Sequence, residues 1–451
     1  MSASTIADDA LTVAAAEEMS VSVDLEHTES KEDRVHRFSI ATLLGLVGLL
    51  LAVLAVFTKG KAYLALSDAM ATVKLPTIVL PALPTVIICA VLCLAAAAVL
   101  FLSRRGNRQV VANPVRTVMM VLAGLALVLG FLSWAVGGLS LGGNPVAFTV
   151  TNQFNGTMNF ATPLILGALA GVVGERAGVV NVAIEGQFLT GAFAAALVGT
   201  MTNSMTAGLI AGMVVGVLMG ALLALFSVKY LVDQVVLGVV LNLLATGLTG
   251  YLYSQFINVD SSKYNNAPRM STLNIPALSD IPFIGPILFQ QKLLSYMALF
   301  AILVVWFLLY RTKWGLRVRS VGEHPEAAET VGLNVQAIKW QAVLVGGALA
   351  GLGGTYFTLC VSGQFVKGMS SGYGFIALAA LIMGRWKPGL AAVMALFFGF
   401  VLQLSSSLNT IGTPMNSQLL QMLPYIATII AVAGLIGRVR APKADGKPYI
   451  K

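Results

Sequence analysis

Apolar runs of about 20 residues, each ended by a short polar or charged cluster, recur along the chain from Phe38 to Gly437. As a helix, a run of that length crosses the roughly 30 Å hydrocarbon core of a bilayer. A water-facing core would alternate polar and apolar faces instead, and these runs do not. The pattern predicts twelve apolar helices, at about 38–58, 77–102, 115–136, 157–174, 186–199, 206–226, 234–256, 293–310, 341–362, 372–384, 388–408 and 417–437. Several are shorter than a full crossing, which points to tilted, broken or half-crossing helices. The expected fold is all-α, a polytopic membrane helical bundle.

Composition agrees: 57% of the 451 residues are hydrophobic and 10% are charged, against roughly 25% charged in soluble domains. The first 36 residues differ, with nine acidic residues against Lys31 and Arg34 and no periodic apolar face. They read as a disordered acidic tail. The segment is no secretory leader by this reading, because it is acidic and the run after it is as long as a true crossing. From Arg37 onward there are 26 basic and 10 acidic residues, a surplus that suits cytoplasmic loops better than nucleic-acid binding. With the N-terminus inside, 21 of the 28 Lys and Arg residues fall on the cytoplasmic side and 7 outside. Both termini are therefore expected in the cytoplasm. Cys89, Cys93 and Cys360 lie in apolar runs as packing residues, and His27, His36 and His324 are too scattered to build a metal site.

Two loops stand out by length. Residues 257–291, with "YNNAPRM" and repeated proline, are expected outside, where they either cover a pathway or meet an extracellular partner. Residues 311–340 are expected inside and are too patterned for a bare tether.

Candidate chemistry concentrates in "GVVGERAGVVNVAIEGQFLTGAF", residues 171–193, where Glu175, Arg176, Asn181 and Glu185 interrupt apolar sequence. Ionisable groups at membrane depth cost roughly 2.5–3.5 kcal/mol on insertion scales, so they line a cavity or pair with one another. Gly174, Gly178 and Gly186 give the backbone freedom to leave the helical path, and broken helices are tolerated where they face protein or a water-filled route. Two readings stay open for Glu175 and Arg176: part of that route, or a short turn with an exposed ion pair. For Asn181 and Glu185 the alternatives are cargo contact and a buried bond between helices. Gln187 and Asn242, with Gln403 as a weaker candidate, complete the polar set, since amides can pair with a nucleobase edge or sugar hydroxyls without a charge penalty.

The second focus, "EHPEAAETVGLN", reads as about two turns of helix. Pro325 suits the first helical turn, and Glu326 and Glu329 favour its positive end. Gly332 can take the left-handed conformation that ends it. Ala327 and Ala328 would leave a flat surface for a partner's groove, with Val331 and Leu333 adding apolar contact. The alternative is an amphipathic helix resting on the membrane with Trp314 and Arg317 as anchors.

"ATPLILGALAGVVGERAGVVNVAIEGQFLTGAF" resembles a segment of the permease subunits of bacterial ATP-binding-cassette importers of the nucleoside and simple-sugar type, the group that also holds ribose and branched-chain amino acid permeases. "RTKWGLRVRSVGEHPEAAETVGLNV" is similar to that family's cytoplasmic loop. The resemblance covers about Val115 to Gly437. It implies a ten-span permease core at 115–437, two additional N-terminal spans at 37–114, a disordered cytoplasmic tail at 1–36 and a basic cytoplasmic tail at 438–451. It further implies that Glu323, His324, Pro325, Glu326, Ala327, Ala328 and Gly332, within the loop 311–340, dock on a separate ATPase. Asn181, Glu185, Gln187 and Asn242 become candidates for the substrate pathway. The implied partners are a second permease in a heterodimer, the ATPase with its ATP and Mg²⁺, an extracytoplasmic substrate-binding lipoprotein and membrane lipid, in a bacterial cell membrane. No cofactor is expected on this chain itself. Gly60-Lys61 and Gly446-Lys447 are followed by Ala and Pro, so neither is a phosphate-binding loop and ATP hydrolysis falls to another chain. A nucleoside is the expected cargo and a simple sugar the alternative. An ion-coupled transporter with Glu185 as the coupling carboxylate, or a membrane scaffold, are the remaining classes.

Overall fold

A computed structural model describes residues 31–67, 74–105, 108–109, 111–141, 144–413, 415–430 and 440–450. Its first three helices, α1 (Lys31–Phe57), α2 (Ala82–Leu102) and α3 (Asn113–Val136), form a small bundle. Small residues line its seam, among them Ala41, Cys89, Cys93, Ala96, Ala123 and Ala126. Between helices already surrounded by lipid, close backbone approach through small side chains supplies the packing. Arg37 at the start of α1 donates to the carbonyls of Leu100 (2.9 Å) and Phe101 (3.2 Å) at the end of α2. Helix α1 already includes Lys31, the first described residue, so residues 31–36, expected as part of the disordered tail, are helical; "KEDRVHRF" has no Gly or Pro to interrupt it. The rest of the acidic segment lies outside the described residues.

A three-stranded sheet in the order β2-β1-β3 ties this bundle to the helices after it. β1 (Lys61–Ala65) pairs antiparallel with β2 (Thr77–Pro81), and parallel with β3 (Ala147–Thr149) in the register Tyr63↔Ala147 to Ala65↔Thr149. β3 runs directly into the next helix, α4 (Val150–Arg176). The expected boundary after residue 114 therefore meets a structure in which α3 packs with α1 and α2.

Beyond α4 come α5 (Ile184–Thr202), α6 (Met205–Ala224), α7 (Gln234–Leu252), α8 (Leu293–Arg311), α9 (Lys313–Glu323), α10 (Pro325–Thr330), α11 (Val335–Thr355), α12 (Tyr373–Met383), α13 (Pro388–Ile411) and α14 (Ser417–Ile430). α6, α7 and α11 each continue for a turn or more of wider π-helix. The polytopic helical bundle read from the pattern is the fold observed, with a few short strands that the pattern did not predict. Among the described residues nine helices are long and apolar enough to cross a membrane, with α12 a shorter apolar helix. The last apolar segment is described only to residue 430, so its remainder and Arg438 lie outside the described residues.

α4 and α11 are the buried axis of the core, enclosed by protein for most of their length. Glycine makes this possible where α11 crosses α6. A Cβ on Gly351 would stand 2.2 Å from the Gly212 carbonyl oxygen, and one on Gly216 would stand 2.2 Å from that of Gly347. The two backbones touch, and no side chain fits between them. At the far end of α11 the loop expected outside clasps the chain. Asn265 donates to the Phe365 carbonyl (3.0 Å) and accepts from the Phe365 N–H (2.6 Å), and the Met270 N–H reaches the Leu359 carbonyl (2.7 Å).

Candidate functional site

The interruption read in the sequence is a real break. α4 ends at Arg176 because Gly178 adopts φ +79°, which turns the chain out of the helix and brings the N–H groups of Gly178 and Val179 back onto the Glu175 and Gly174 carbonyls. Residues 177–183 then run outside the α-helical path to α5. Freed backbone groups at membrane depth need partners, and α7 supplies them with two amides. Asn242 accepts from the Gly186 N–H (2.8 Å) and donates to the Val182 carbonyl (3.0 Å), while Gln234 accepts from the Val180 N–H (2.7 Å).

Glu185 sits in the first turn of α5 and reaches the first turn of α12. Its Oε1 accepts from Ser370 Oγ (2.7 Å) and the Gly372 N–H (2.8 Å), and its Oε2 from the Gly374 N–H (2.7 Å). Two helix N-termini, each carrying partial positive charge, thus converge on one carboxylate. α12 has 11 residues, which at 1.5 Å per residue is about 16 Å, roughly half the hydrocarbon thickness. Its other end is the Trp386 turn, packed on the end of α4, so Glu185 lies about half a membrane along α12 from that end.

Asn181 and Gln187 meet across the break, Nδ2 to Oε1 at 3.0 Å. They are 2% and 0% exposed, and Asn181 Oδ1 and Gln187 Nε2 have no partner among the described residues. All four predicted pathway residues therefore gather at one place, Asn242 and Glu185 half-buried and the other two enclosed. Gln403 stands apart, bonded to Ser407 (2.9 Å) in the seam between α4 and α13.

The reading of Glu175 and Arg176 as an exposed ion pair is corrected. Glu175 is 3% exposed and accepts from the Trp386 indole N–H, while Arg176 donates to the Trp386 carbonyl (2.9 Å). Arg385 and Trp386 both hold positive φ, +53° and +54°. This left-handed pair, costly for non-glycine residues, is held by the end of α4. Nothing in the apolar periodicity marked Trp386, Ser370 or Gln234; the one available signal was polar or aromatic sequence beside short apolar runs.

The patterned loop folds as α9 and α10, with Pro325 at the first helical position and Gly332 at φ +84°, as its spacing predicted. Its surface differs from the expectation in one respect. Ala328 is 3% exposed and joins this chain's own core, with Leu333 beside it, because residues 328 and 333 lie on the inward face. The outward face carries Glu323, His324, Glu326, Ala327, Thr330 and Val331, the last 75% exposed. The flat surface of two alanines is thus a single alanine ringed by acidic and apolar groups. Trp314 donates to Gln341 (3.0 Å).

Residues 440–450 lie against this same end. The Ala444 N–H donates to the Gly322 carbonyl (3.0 Å), Lys443 stands 3.3 Å from His324 Nε2, and the Tyr449 hydroxyl donates to Glu329. Burial pushes the Asp445 carboxyl up to about 7, against the opposing pull of the Gly446 N–H and Lys339. The sequence reading treated this stretch only as a basic tail.

Residues 153–432 match the family described as branched-chain amino acid transport system / permease component. The nucleoside ABC transporter permease protein NupC of Lactococcus lactis subsp. cremoris is 40% identical over 307 residues, 65% of this chain and 94% of that protein. The guanosine ABC transporter permease protein NupQ of Bacillus subtilis is 40% identical over 304 residues, 65% of this chain and 95% of that one. A putative glucose ABC transporter permease protein of Haloferax volcanii is 34% identical over 306 residues, 64% and 92% of the two chains. No solved structure matches the chain. The family match begins after α3, so α1, α2 and α3 all precede it.

Proposed function

The chain belongs to the branched-chain amino acid transport system / permease component family, and on that premise we propose that it is the membrane subunit of an ATP-driven importer for nucleosides. The observation that carries the cargo is the 40% identity to relatives named for nucleoside and guanosine transport, along 94% and 95% of their lengths. A simple sugar is the second reading, favoured by the 34% identical relative named for glucose.

In this reading cargo passes at the break. Asn242 and Glu185, half-buried between helices, place an amide and a carboxylate, groups that can pair with base and ribose hydroxyls, beside a discontinuous helix of the kind at which transporters hold cargo near mid-membrane, with the two converging N-termini occupied by Glu185 itself. A separate ATPase, holding ATP and Mg²⁺, docks on the outward face of α10 around Glu326, Ala327 and Val331. Its closure is passed through α9, whose Gly322 backs directly onto the Arg176 carbonyl oxygen at the end of α4, 2.1 Å from where a Cβ would stand. The loop, residues 440–450 and both termini face the cytoplasm; the 21-to-7 distribution of basic residues supports this sidedness. A second permease and an extracytoplasmic binding protein complete the assembly.

Competition decides the cargo. Cells expressing the transporter are expected to take up labelled guanosine, and excess unlabelled nucleoside should suppress it while glucose does not. Suppression by glucose and not by nucleosides would replace the nucleoside reading with the sugar one.

A further inference from the structure

Residues 440–450 carry no part of the family match, which ends at 432, yet they touch every moving part of the proposed mechanism. Pro442 and Ala444 are buried. The Ala444 carbonyl oxygen lies 3.0 Å from where a Cβ on Gly178 would stand, so the turn that ends α4 is shaped to admit this segment. Gly446 lies against Val180 in the break. The Ala444 N–H holds the last turn of α9 at Gly322, and Lys443 approaches His324, the residue before α10. Tyr449 packs its ring on the core and gives its hydroxyl to Glu329 on α10.

We infer that residues 442–449 are a strap that fixes α10 to the break, with Tyr449 as a positioning residue that makes movement of α10 arrive at residues 178–180. This rests on the reading of α10 as the ATPase contact. The strap joins the two places along one short stretch of chain: within eight residues it hydrogen-bonds to α10 through Tyr449 at one end and packs on the break at Gly178 and Val180 at the other. α9 provides the parallel route, joined to α10 by the chain turn at His324, whose N–H donates to the Ser320 carbonyl (2.9 Å) and whose carbonyl accepts from the Ala328 N–H (3.0 Å). Together with the α9 turn and the packing of Ala328 on the core, the hydroxyl-to-carboxylate bond holds α10, so that in this reading rotation of α10 displaces the strap. Tyr449 bonds Glu329, which is not one of the outward-face residues, though it also lies within electrostatic reach of Glu326, so removing its hydroxyl while keeping the ring is expected to spare ATPase docking and affect transmission.

The test uses the full permease with its ATPase and binding protein in nanodiscs, with guanosine as the cargo probe. Tyr449→Phe keeps the ring and removes the hydroxyl. ATPase association is expected to stay within twofold of wild type while guanosine-stimulated hydrolysis falls about tenfold, the size of one charge-assisted hydrogen bond. Glu329→Ala should do the same. The double variant should be no worse than either alone, because the two share one interaction. Glu329→Gln, which still accepts from the hydroxyl, should retain hydrolysis within about threefold. Wild-type stimulation in Tyr449→Phe, additive losses in the double variant, or loss of ATPase association would each overturn the strap. Ala327→Trp, on the outward face, separates this from the reading beneath it. If Ala327→Trp abolishes ATPase association and Tyr449→Phe changes nothing, only the strap is lost. If Ala327→Trp leaves association intact, the docking reading fails and the strap with it.

Discussion

Replacing Glu185 by glutamine should weaken the fold and uptake together, and the structure says by how much. The carboxylate accepts three hydrogen bonds, all from groups at the start of α12. A glutamine can keep the two to its carbonyl oxygen, from Ser370 and Gly372. Its NH₂ then faces the Gly374 N–H, donor against donor. One charge-assisted bond is lost, worth about 1.5–3 kcal/mol, and a donor in the first turn of α12 is left unpaired. The remaining two bonds lose their charge, and the two converging helix ends lose an anion worth about 0.3–1 kcal/mol each. The expected cost is about 2–4 kcal/mol for glutamine. For alanine it should approach twice that, a large share of a total stability of about 5–15 kcal/mol. Thermal unfolding of purified protein, followed by the loss of the monodisperse peak on size-exclusion chromatography, reads the order wild type, Glu185→Gln, Glu185→Ala. Ser370→Ala, which removes one donor and no charge, should fall between wild type and glutamine. Uptake normalised to folded protein should still drop in Glu185→Gln if the carboxylate also meets cargo. Equal midpoints for wild type and Glu185→Ala would refute the claim that this carboxylate joins α5 to α12.

Gly351→Val should prevent assembly of the core, because even a Cβ there stands 2.2 Å from the Gly212 carbonyl, whereas Gly247→Ala, with nothing within 4 Å, should be neutral or slightly stabilising; yield of folded protein checks both. Ala328→Trp should lower the yield of folded permease by overpacking, at a cost of about 1–3 kcal/mol or more, while Gly332→Val, in open space at φ +84°, should cost only the backbone strain of about 1–2 kcal/mol; chemical denaturation separates the two. Strap docking should weaken as pH rises. The Asp445 carboxyl, facing Glu175 on α4 and Lys339 on α11, is raised to about 7 from an ordinary value near 3.9, so its contribution is complete below about pH 4 and gone above about pH 7. Hydrogen exchange at residues 444–446 should therefore be faster at pH 8 than at pH 5 after correction for the intrinsic rate, and Asp445→Asn should remove the difference; slower exchange at pH 8 would reverse the sign.

The range of the interactions decided which features the sequence displayed and which it hid. The helices were legible because a crossing needs its apolar length in one continuous piece, and the break was legible because Gly178 and the charges around it offend that pattern locally. Pro325 and Gly332 announced the two ends of α10 for the same reason. The partners were not legible. That Asn242 would close the gap at 182–186, or that Glu185 would cap a helix 187 residues away through Gly372, depends on which helices neighbour one another, and uniform apolar surfaces do not encode that. The inward turn of Ala328 was hidden because alanine is equally at home on either face, so only the docking of α10 on its own chain decides. The glycine contacts of α6 and α11 were visible as spacing, at 212, 216, 220 and at 347, 351, but their pairing required the fold. Residues 440–450 looked like a solvated basic tail because their anchoring uses backbone groups, two small side chains and a single tyrosine.

The most direct test of the account is the energy source for guanosine uptake by proteoliposomes holding the permease, its ATPase and its binding protein. The account predicts accumulation that requires ATP on the side carrying α10, persists when the proton and ion gradients are collapsed, and stops when the ATPase is made unable to hydrolyse ATP. Accumulation that survives without ATP and follows an imposed ion gradient would contradict it.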